Sequence, residues 1–254
     1  MTIHFNASGT GPDLVLLHGW GMHGGIWDGV AAELAKDFRV YCVDLPGYGA
    51  SPSLAPYALD SLVQRVSESF PEPVAVCGWS LGGMVAQRWA QTAPQQLKKL
   101  ALVASTPRFV SGGDWPHGVE PDVLAGFAAG LEVDFEGSLK RFLSLQSRGD
   151  EHAKAVMKQL RERLFSRNAP DPGALRGGLD ILLHADLRQA AARIAVPTLL
   201  IHGDYDRLTP LGAAQWLAKT LPAARLEVLR GCAHAPFLSH PAAFQRLLRD
   251  FLHD

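Results

Sequence analysis

No stretch of the chain comes near the ~18 consecutive apolar residues of a membrane-spanning helix, and Met1-Thr2-Ile3-His4 lacks the basic-then-apolar pattern of a signal peptide. The expectation is a cytoplasmic protein with no membrane contact. A surplus of one charge is also missing. Lys and Arg number 24 against 25 Asp and Glu, which argues against a dedicated nucleic-acid binder. Cysteine is scarce: Cys42 and Cys77 fall in apolar strand candidates and read as reduced core thiols, and Cys232 reads as packing. The three lack metal-ligand spacing, and the chain has no zinc-binding H-E-x-x-H, no Walker-type lysine, no internal repeat and no low-complexity segment. The reading calls for no metal and no cofactor.

With 254 residues the chain can bury one large α/β core with room for an inserted subdomain. Short apolar runs at Leu14–Leu17, Val40–Val43, Val74–Cys77, Leu100–Ala104, Thr198–His202 and Leu226–Leu229 read as buried strands. Helical spacing over Ile26–Ala35, Leu59–Phe70, Leu81–Ala90, Gly212–Thr220 and from Pro241 onward alternates with them, which implies a parallel sheet covered on both faces. From Arg108 to Ile194 no strand is convincing. Helical stretches there, Val123–Leu131, Ser138–Gln146, Glu151–Phe165 and Ala174–Leu183, are punctuated by Gly and Pro. The expected organisation is a core of residues 1–107 and 195–254 with a helical lid, 108–194, inserted after the sixth strand.

Gly78-Trp79-Ser80-Leu81-Gly82 follows one of these strands and opens a helix, the context in which G-x-S-x-G means a nucleophile elbow. A serine hydroxyl is a weak nucleophile until a base accepts its proton, and that base needs a carboxylate to hold its tautomer. In α/β-hydrolases the order along the chain is nucleophile, acid, histidine. Two late loops, both at the carboxyl ends of strands, supply candidates. Asp206 is the expected acid, with Asp204 as the alternative, since Asp204 follows Gly203 and suits an Asx-turn. His234 is the expected base. His240 is its alternative, although its place before Pro241 suits a role in starting the last helix. The oxyanion hole is expected from the backbone N–H of Leu81, at the positive end of its helix, and of Trp20 in the His18-Gly19-Trp20-Gly21 loop. Each such donor is worth roughly 3 kcal/mol in a well-studied hydrolase. The same loop carries Gly19-x-Gly21-x-x-Gly24 with Asp44 twenty residues on, a dinucleotide-binding fingerprint on paper that leaves the elbow and both late loops unexplained.

Residues 136–167 hold eight basic side chains and four acidic ones, and Lys154, Lys158 and Arg161 recur on one helix face. Such a patch steers an acidic partner or is an ordinary solvated face. Leu139, Phe142, Leu143 and Gln146 make an apolar stripe with one amide, read either as core or as the lining of an acyl channel.

Several segments together resemble the pimeloyl-acyl-carrier-protein methyl ester carboxylesterases of biotin synthesis. They are His18-Gly19-Trp20-Gly21-Met22, Asp44-Leu45-Pro46-Gly47-Tyr48-Gly49-x-Ser51, the Gly78–Gly83 elbow and Ala233-His234-Ala235-Pro236-Phe237. The likeness continues through Trp115-Pro116, Pro121–Phe127, Arg141–Gln146 and Gly177–Leu182, so it covers nearly the whole chain. It implies an α/β-hydrolase fold and attack by Ser80 on the methyl ester, with methanol protonated by His234 and the thioester to the carrier left intact. Substrate contacts implied by the likeness are Trp20, Ser80, Leu81, Phe142, Leu143, Ser144, Leu145, Gln146 and His234. The implied partner is an acyl-carrier protein docking on Arg141, Lys154, Lys158 and Arg161, with the enzyme a monomer. Lysine at 154 and 158, and Gly137 where an arginine is expected, keep less of the bidentate recognition of phosphate. Rival readings on the same fold are a broad short-acyl esterase, a carbon–carbon hydrolase, and a catalytically silent binding protein.

Overall fold

The computed structural model describes residues 2–254. Seven strands form one sheet in the order β1-β3-β2-β4-β5-β6-β7. They are β1 (Phe5–Ser8), β2 (Asp13–Leu17), β3 (Arg39–Val43), β4 (Val74–Trp79), β5 (Leu97–Val103), β6 (Thr198–Gly203) and β7 (Ala224–Leu229). Every neighbouring pair is parallel except β1 with β3, which is antiparallel. All six residues of β4 and of β6 are buried, as strands covered on both faces must be.

Five helices cover the sheet: α1 (Asp28–Leu34), α2 (Leu59–Ser67), α3 (Leu81–Thr92), and, after the helical block described next, α9 (Leu211–Thr220) and α11 (Pro241–His253). Between β5 and β6 no further strand of the sheet occurs among the described residues; after a loop with isolated β-bridges (Val110 with Val119, Arg108 with Asp186) come α4 (Pro121–Val133), α5 (Phe135–Gln146), α6 (Ala153–Leu164), α7 (Pro172–His184) and the short α8 (Arg188–Ala191). A further one-turn helix, α10 (Pro236–Ser239), follows the late histidine loop.

Several expectations need correction. The helical block follows the fifth strand of the described sheet, not the sixth. β1 escaped notice because Phe5-Asn6-Ala7-Ser8 is only four residues long, too short for its apolar–polar alternation to stand out, and mostly exposed at the sheet edge. The helix expected from Ile26 begins at Asp28, since Gly24–Trp27 winds as a tighter 3₁₀ turn. β5 begins three residues earlier than its apolar run. Its Lys99 stretches along the sheet end, with its Nζ 2.9 Å from the Phe251 carbonyl and 3.0 Å from that of Leu252.

Candidate active site

Ser80 follows β4 and caps α3 with φ 55° and ψ −118°, a conformation that side-chain-bearing residues rarely adopt. The turn is bolted at both sides. Ser80 N–H donates to the Val103 carbonyl at 3.0 Å, and the Ser80 carbonyl accepts from Gly83 N–H and from Ser105 Oγ at 2.9 Å each. A β-carbon on Gly78 would sit 2.3 Å from the Gly82 carbonyl oxygen, and one on Gly82 would sit 2.5 Å from the Leu17 and His18 carbonyls. The two glycines of the motif therefore allow the strand, helix and β2 loop to approach so closely.

The loops after β6 and β7 bring the acid and the imidazole to this serine. His234 Nε2 lies 2.9 Å from Ser80 Oγ, and His234 Nδ1 lies 2.8 Å from Asp206 Oδ2. Asp206 Oδ1 accepts Leu208 N–H and Thr209 N–H at 2.9 Å each, while Oδ2 also accepts Thr209 Oγ1–H at 2.7 Å. Burial alone would raise the Asp206 carboxyl, but His234, His202 and the Thr209 N–H outweigh it and hold its pKa below the ordinary value. The ionised carboxylate only accepts, so the proton on Nδ1 belongs to His234, and Nε2 is left free to take the serine proton. Asp206, not Asp204, makes the Asx-type turn; Asp204 is exposed. His240 lies outside the relay and faces Glu151 at 3.0 Å. It occupies the N-cap position of α11, yet its side chain makes no capping hydrogen bond.

The loop after β2 passes directly over the serine: a β-carbon on Gly19 would lie 3.2 Å from Ser80 Cβ. Neither Trp20 N–H nor Leu81 N–H donates to a protein acceptor among the described residues, and Leu81 opens α3, where unpaired amides and the helix dipole favour negative charge. His18 holds the loop. Its Nε2 accepts Leu45 N–H at 3.0 Å, so its proton is on Nδ1, which donates to the Gly19 carbonyl at 2.8 Å. Burial lowers its pKa to about 4 and keeps the ring neutral. The nucleotide fingerprint is absorbed by the same packing. Asp44 is fully buried and accepts from Gly24 N–H, Ala50 N–H and Arg167, with His4 Nδ1 2.8 Å away, leaving nothing for a ribose.

The helical block closes the top. Phe142, Leu143 and Gln146 turn inward with Leu139, Leu145 is half-buried and Ser144 is exposed. Trp20 meets Phe142 edge-on at 4.6 Å, and its indole N–H donates to the Leu175 carbonyl at 2.9 Å. The Gln146 side-chain oxygen is buried without a partner. Ser80 itself is only 4 % exposed.

Three supports of the histidine loop were invisible as motifs. Trp79 Nε1–H donates to the His234 carbonyl at 2.7 Å, His234 N–H donates to the Gln146 carbonyl at 3.0 Å, and Ala233 N–H donates to Asp150 Oδ2 at 2.8 Å. Asp150 stands in the turn between α5 and α6, so nothing in its local sequence ties it to a loop eighty residues on. Of the basic residues, Lys154, Lys158 and Arg161 line one shallow groove of about 530 Å³ on α6 with Met157, Phe165 and Glu162, whose carboxylate lies 3.8 Å from Lys158 Nζ. Arg141 lies on α5, 3.5 Å from Asp134. At Gly137 a β-carbon would collide with Asp134, the residue whose carboxylate caps α5 through Gly137 N–H.

A family model described as alpha/beta hydrolase fold matches residues 12–241. A Nitrosomonas europaea protein named pimeloyl-[acyl-carrier protein] methyl ester esterase is 47% identical over 243 residues, covering 96% of this chain and 96% of its own. A Chromobacterium violaceum protein of the same name is 45% identical, covering 99% and 98%. Among solved structures, an esterase from Exiguobacterium antarcticum superposes with a TM-score of 0.89 over 99% of this chain and 96% of its own, at 22% identity, a likeness of fold. No helix among the described residues is long and apolar enough to cross a membrane. The chain belongs to the α/β-hydrolase family and, within it, to the pimeloyl-[acyl-carrier protein] methyl ester esterases.

Proposed function

We propose that this protein is a serine carboxylesterase that hydrolyses the methyl ester of pimeloyl-[acyl-carrier protein], releasing methanol and leaving the pimeloyl thioester for biotin synthesis. The carrying observation is the Ser80–His234–Asp206 relay, at 2.9 and 2.8 Å, in a chain 47% identical across its length to an esterase of that name. Ser80 Oγ attacks the ester carbonyl as His234 Nε2 takes its proton, and Asp206 stabilises the resulting imidazolium. The N–H groups of Trp20 and Leu81 hold the oxyanion. Collapse of the tetrahedral intermediate expels methoxide, which takes the proton from His234 and leaves as methanol. Water, deprotonated by His234, then attacks the acyl-enzyme and returns the proton to Ser80 Oγ, so proton and acyl group both balance.

The helical block, 108–194, acts as a lid. Ser80 is 4 % exposed, and Phe142, packed on Trp20 of the loop beside it, stands where the block meets that loop. Trp20, Leu81, Phe142, Leu143, Leu145 and Gln146 line the path of the acyl chain, while the exposed Ser144 is the weakest member of that set. The carrier protein docks on Lys154, Lys158 and Arg161, whose cationic groove includes the half-exposed Phe165, with Arg141 to one side. The relay is complete within one chain, which suits a monomer. Three free, buried thiols suit a reducing cytoplasm.

The test is to offer purified methyl pimeloyl-carrier protein and follow both products by mass. Loss of one methyl group with release of methanol and an intact thioester is expected. Brisk cleavage of simple esters with none of the carrier-bound ester contradicts the proposal and favours a generalist esterase.

A further inference from the structure

Away from the serine, on the seam between the helical block and the core, two histidines and a carboxylate converge. Glu151 and His152 come from the residues leading into α6, and His240 comes from the junction of α10 and α11. One oxygen, Glu151 Oε1, lies 3.0 Å from His240 Nε2 and 3.5 Å from His152 Nε2, and the three ligand atoms all fall within 4.8 Å of one another. Tetrahedral zinc with bonds of about 2.0–2.1 Å sets its ligand atoms roughly 3.3 Å apart, which the two glutamate–histidine separations bracket, while the two imidazole nitrogens lie within 4.8 Å of each other. Two imidazoles and one carboxylate, with a fourth position open to water, are a donor set that suits Zn²⁺ and disfavours Mg²⁺ and Ca²⁺, which prefer oxygen-rich shells.

Two further contacts prepare the site. The other ring nitrogen of His240, Nδ1, is 2.9 Å from Ser239 Oγ, the kind of outer hydrogen bond that orients metal-bound histidines. Glu151 is anchored through its main chain, donating N–H to the Gly231 carbonyl at 2.9 Å. Its carboxylate covers Gly231, where a β-carbon would lie 2.7 Å from Oε2. Both anchors lie on the core side of the seam while Glu151 and His152 belong to the block.

We propose that Glu151, His152 and His240 form a zinc-binding site that clamps the helical block to the core beside the histidine loop. Glu151 and His152 are neighbours in sequence, but His240 lies 88 positions further on, and the set matches no metal-binding motif, so only folding completes it.

The experiment is calorimetric titration of untagged, full-length protein with zinc chloride, paired with thermal unfolding in zinc and in chelator, for wild type, His152→Ala, Glu151→Gln and His240→Gln. Wild type should bind one equivalent and gain roughly 5–10 °C in Tm at a hundredfold excess over Kd. Each variant should bind roughly tenfold or more weakly and lose most of the zinc-induced shift. His152 is exposed and, among the described residues, its ring meets the core only at His240, 5.5 Å between centroids, so its variant should fold as wild type does. Wild type without a stoichiometric site overturns the proposal. So do variants that bind as wild type does, since zinc would then sit on other histidines. Magnesium chloride is the control and should shift nothing.

Discussion

The core around Ser80 and the helical block above it are held by different kinds of contact. In the core, position follows from backbone: a positive φ at Ser80, glycines whose β-carbons would strike carbonyls, and a carboxylate saturated by four donors. In the block, position follows mainly from side chains reaching across a seam, joined by a few main-chain hydrogen bonds such as Glu151 N–H to the Gly231 carbonyl and Asp171 N–H to the Gly47 carbonyl. Arg163 pairs with Asp28, Arg167 with Asp44, and His23 Nε2 meets the Arg163 carbonyl at 2.7 Å. Backbone constraint tolerates little change, whereas side-chain tethers release without unfolding a sheet, a difference that suits the proposed division between a fixed relay and a cover over it. The histidine loop belongs to both regions, since Trp79 holds it from the core and Asp150 and Gln146 hold it from the block. The position of the His234 imidazole therefore depends on contacts from both regions.

Attacking the core should have the largest effects. Ser80→Ala should lower ester hydrolysis by about 10⁵–10⁶-fold with an unchanged circular dichroism spectrum, and Asp206→Asn by about 10⁴-fold, measured as kcat on a small p-nitrophenyl ester. Residual turnover near wild type in either would separate the reaction from this relay. Acid should act next. The folded pKa of His18, about 4, is below its unfolded value near 6.5, so the unfolded chain binds more protons between them. Stability present above pH 6.5 is lost as pH falls toward 4, by about 3 kcal/mol from this group. Buried His202, lowered by desolvation, adds to the same slope. Urea unfolding at pH 7 and pH 5 reads this, and a flat profile would contradict the buried neutral ring.

The seam should answer more gently. Asp150→Ala leaves Ala233 N–H buried without an acceptor and loosens the base, so kcat should fall roughly 10- to 100-fold with KM little changed. Equal loss in a thermal unfolding scan with normal kcat would make Asp150 a structural residue alone. The smallest effect belongs to the block's surface. Reversing charge at Lys154, Lys158 and Arg161 should raise KM for the carrier-bound ester about tenfold and leave small esters untouched. Parallel loss on both substrates would remove the docking surface from the account.

What could be read without coordinates divides along the same line. Core strands such as Val74–Trp79 announce themselves because both faces are apolar, and the elbow because its glycines are steric necessities that recur at fixed spacing. The acid and imidazole were legible through chain order and strand ends. Asp150, Thr209 and His18 were not, because their value lies in hydrogen bonds to main-chain or side-chain groups whose neighbourhood only folding creates. β1 is hidden by its shortness and exposure at the edge, and the one-turn helices α8 and α10 by the lack of a full period. The helical block's stripe over 139–146 was visible, but only the fold distinguishes inward Phe142 and Gln146 from outward Ser144.

The most direct measurement is to quench the enzyme during turnover of a slow ester and locate the acyl group by peptide mass spectrometry. A single acyl adduct on the peptide containing Ser80, abolished by Ser80→Ala, is the predicted result. An adduct on any other residue, or steady hydrolysis by Ser80→Ala, would contradict the central claim.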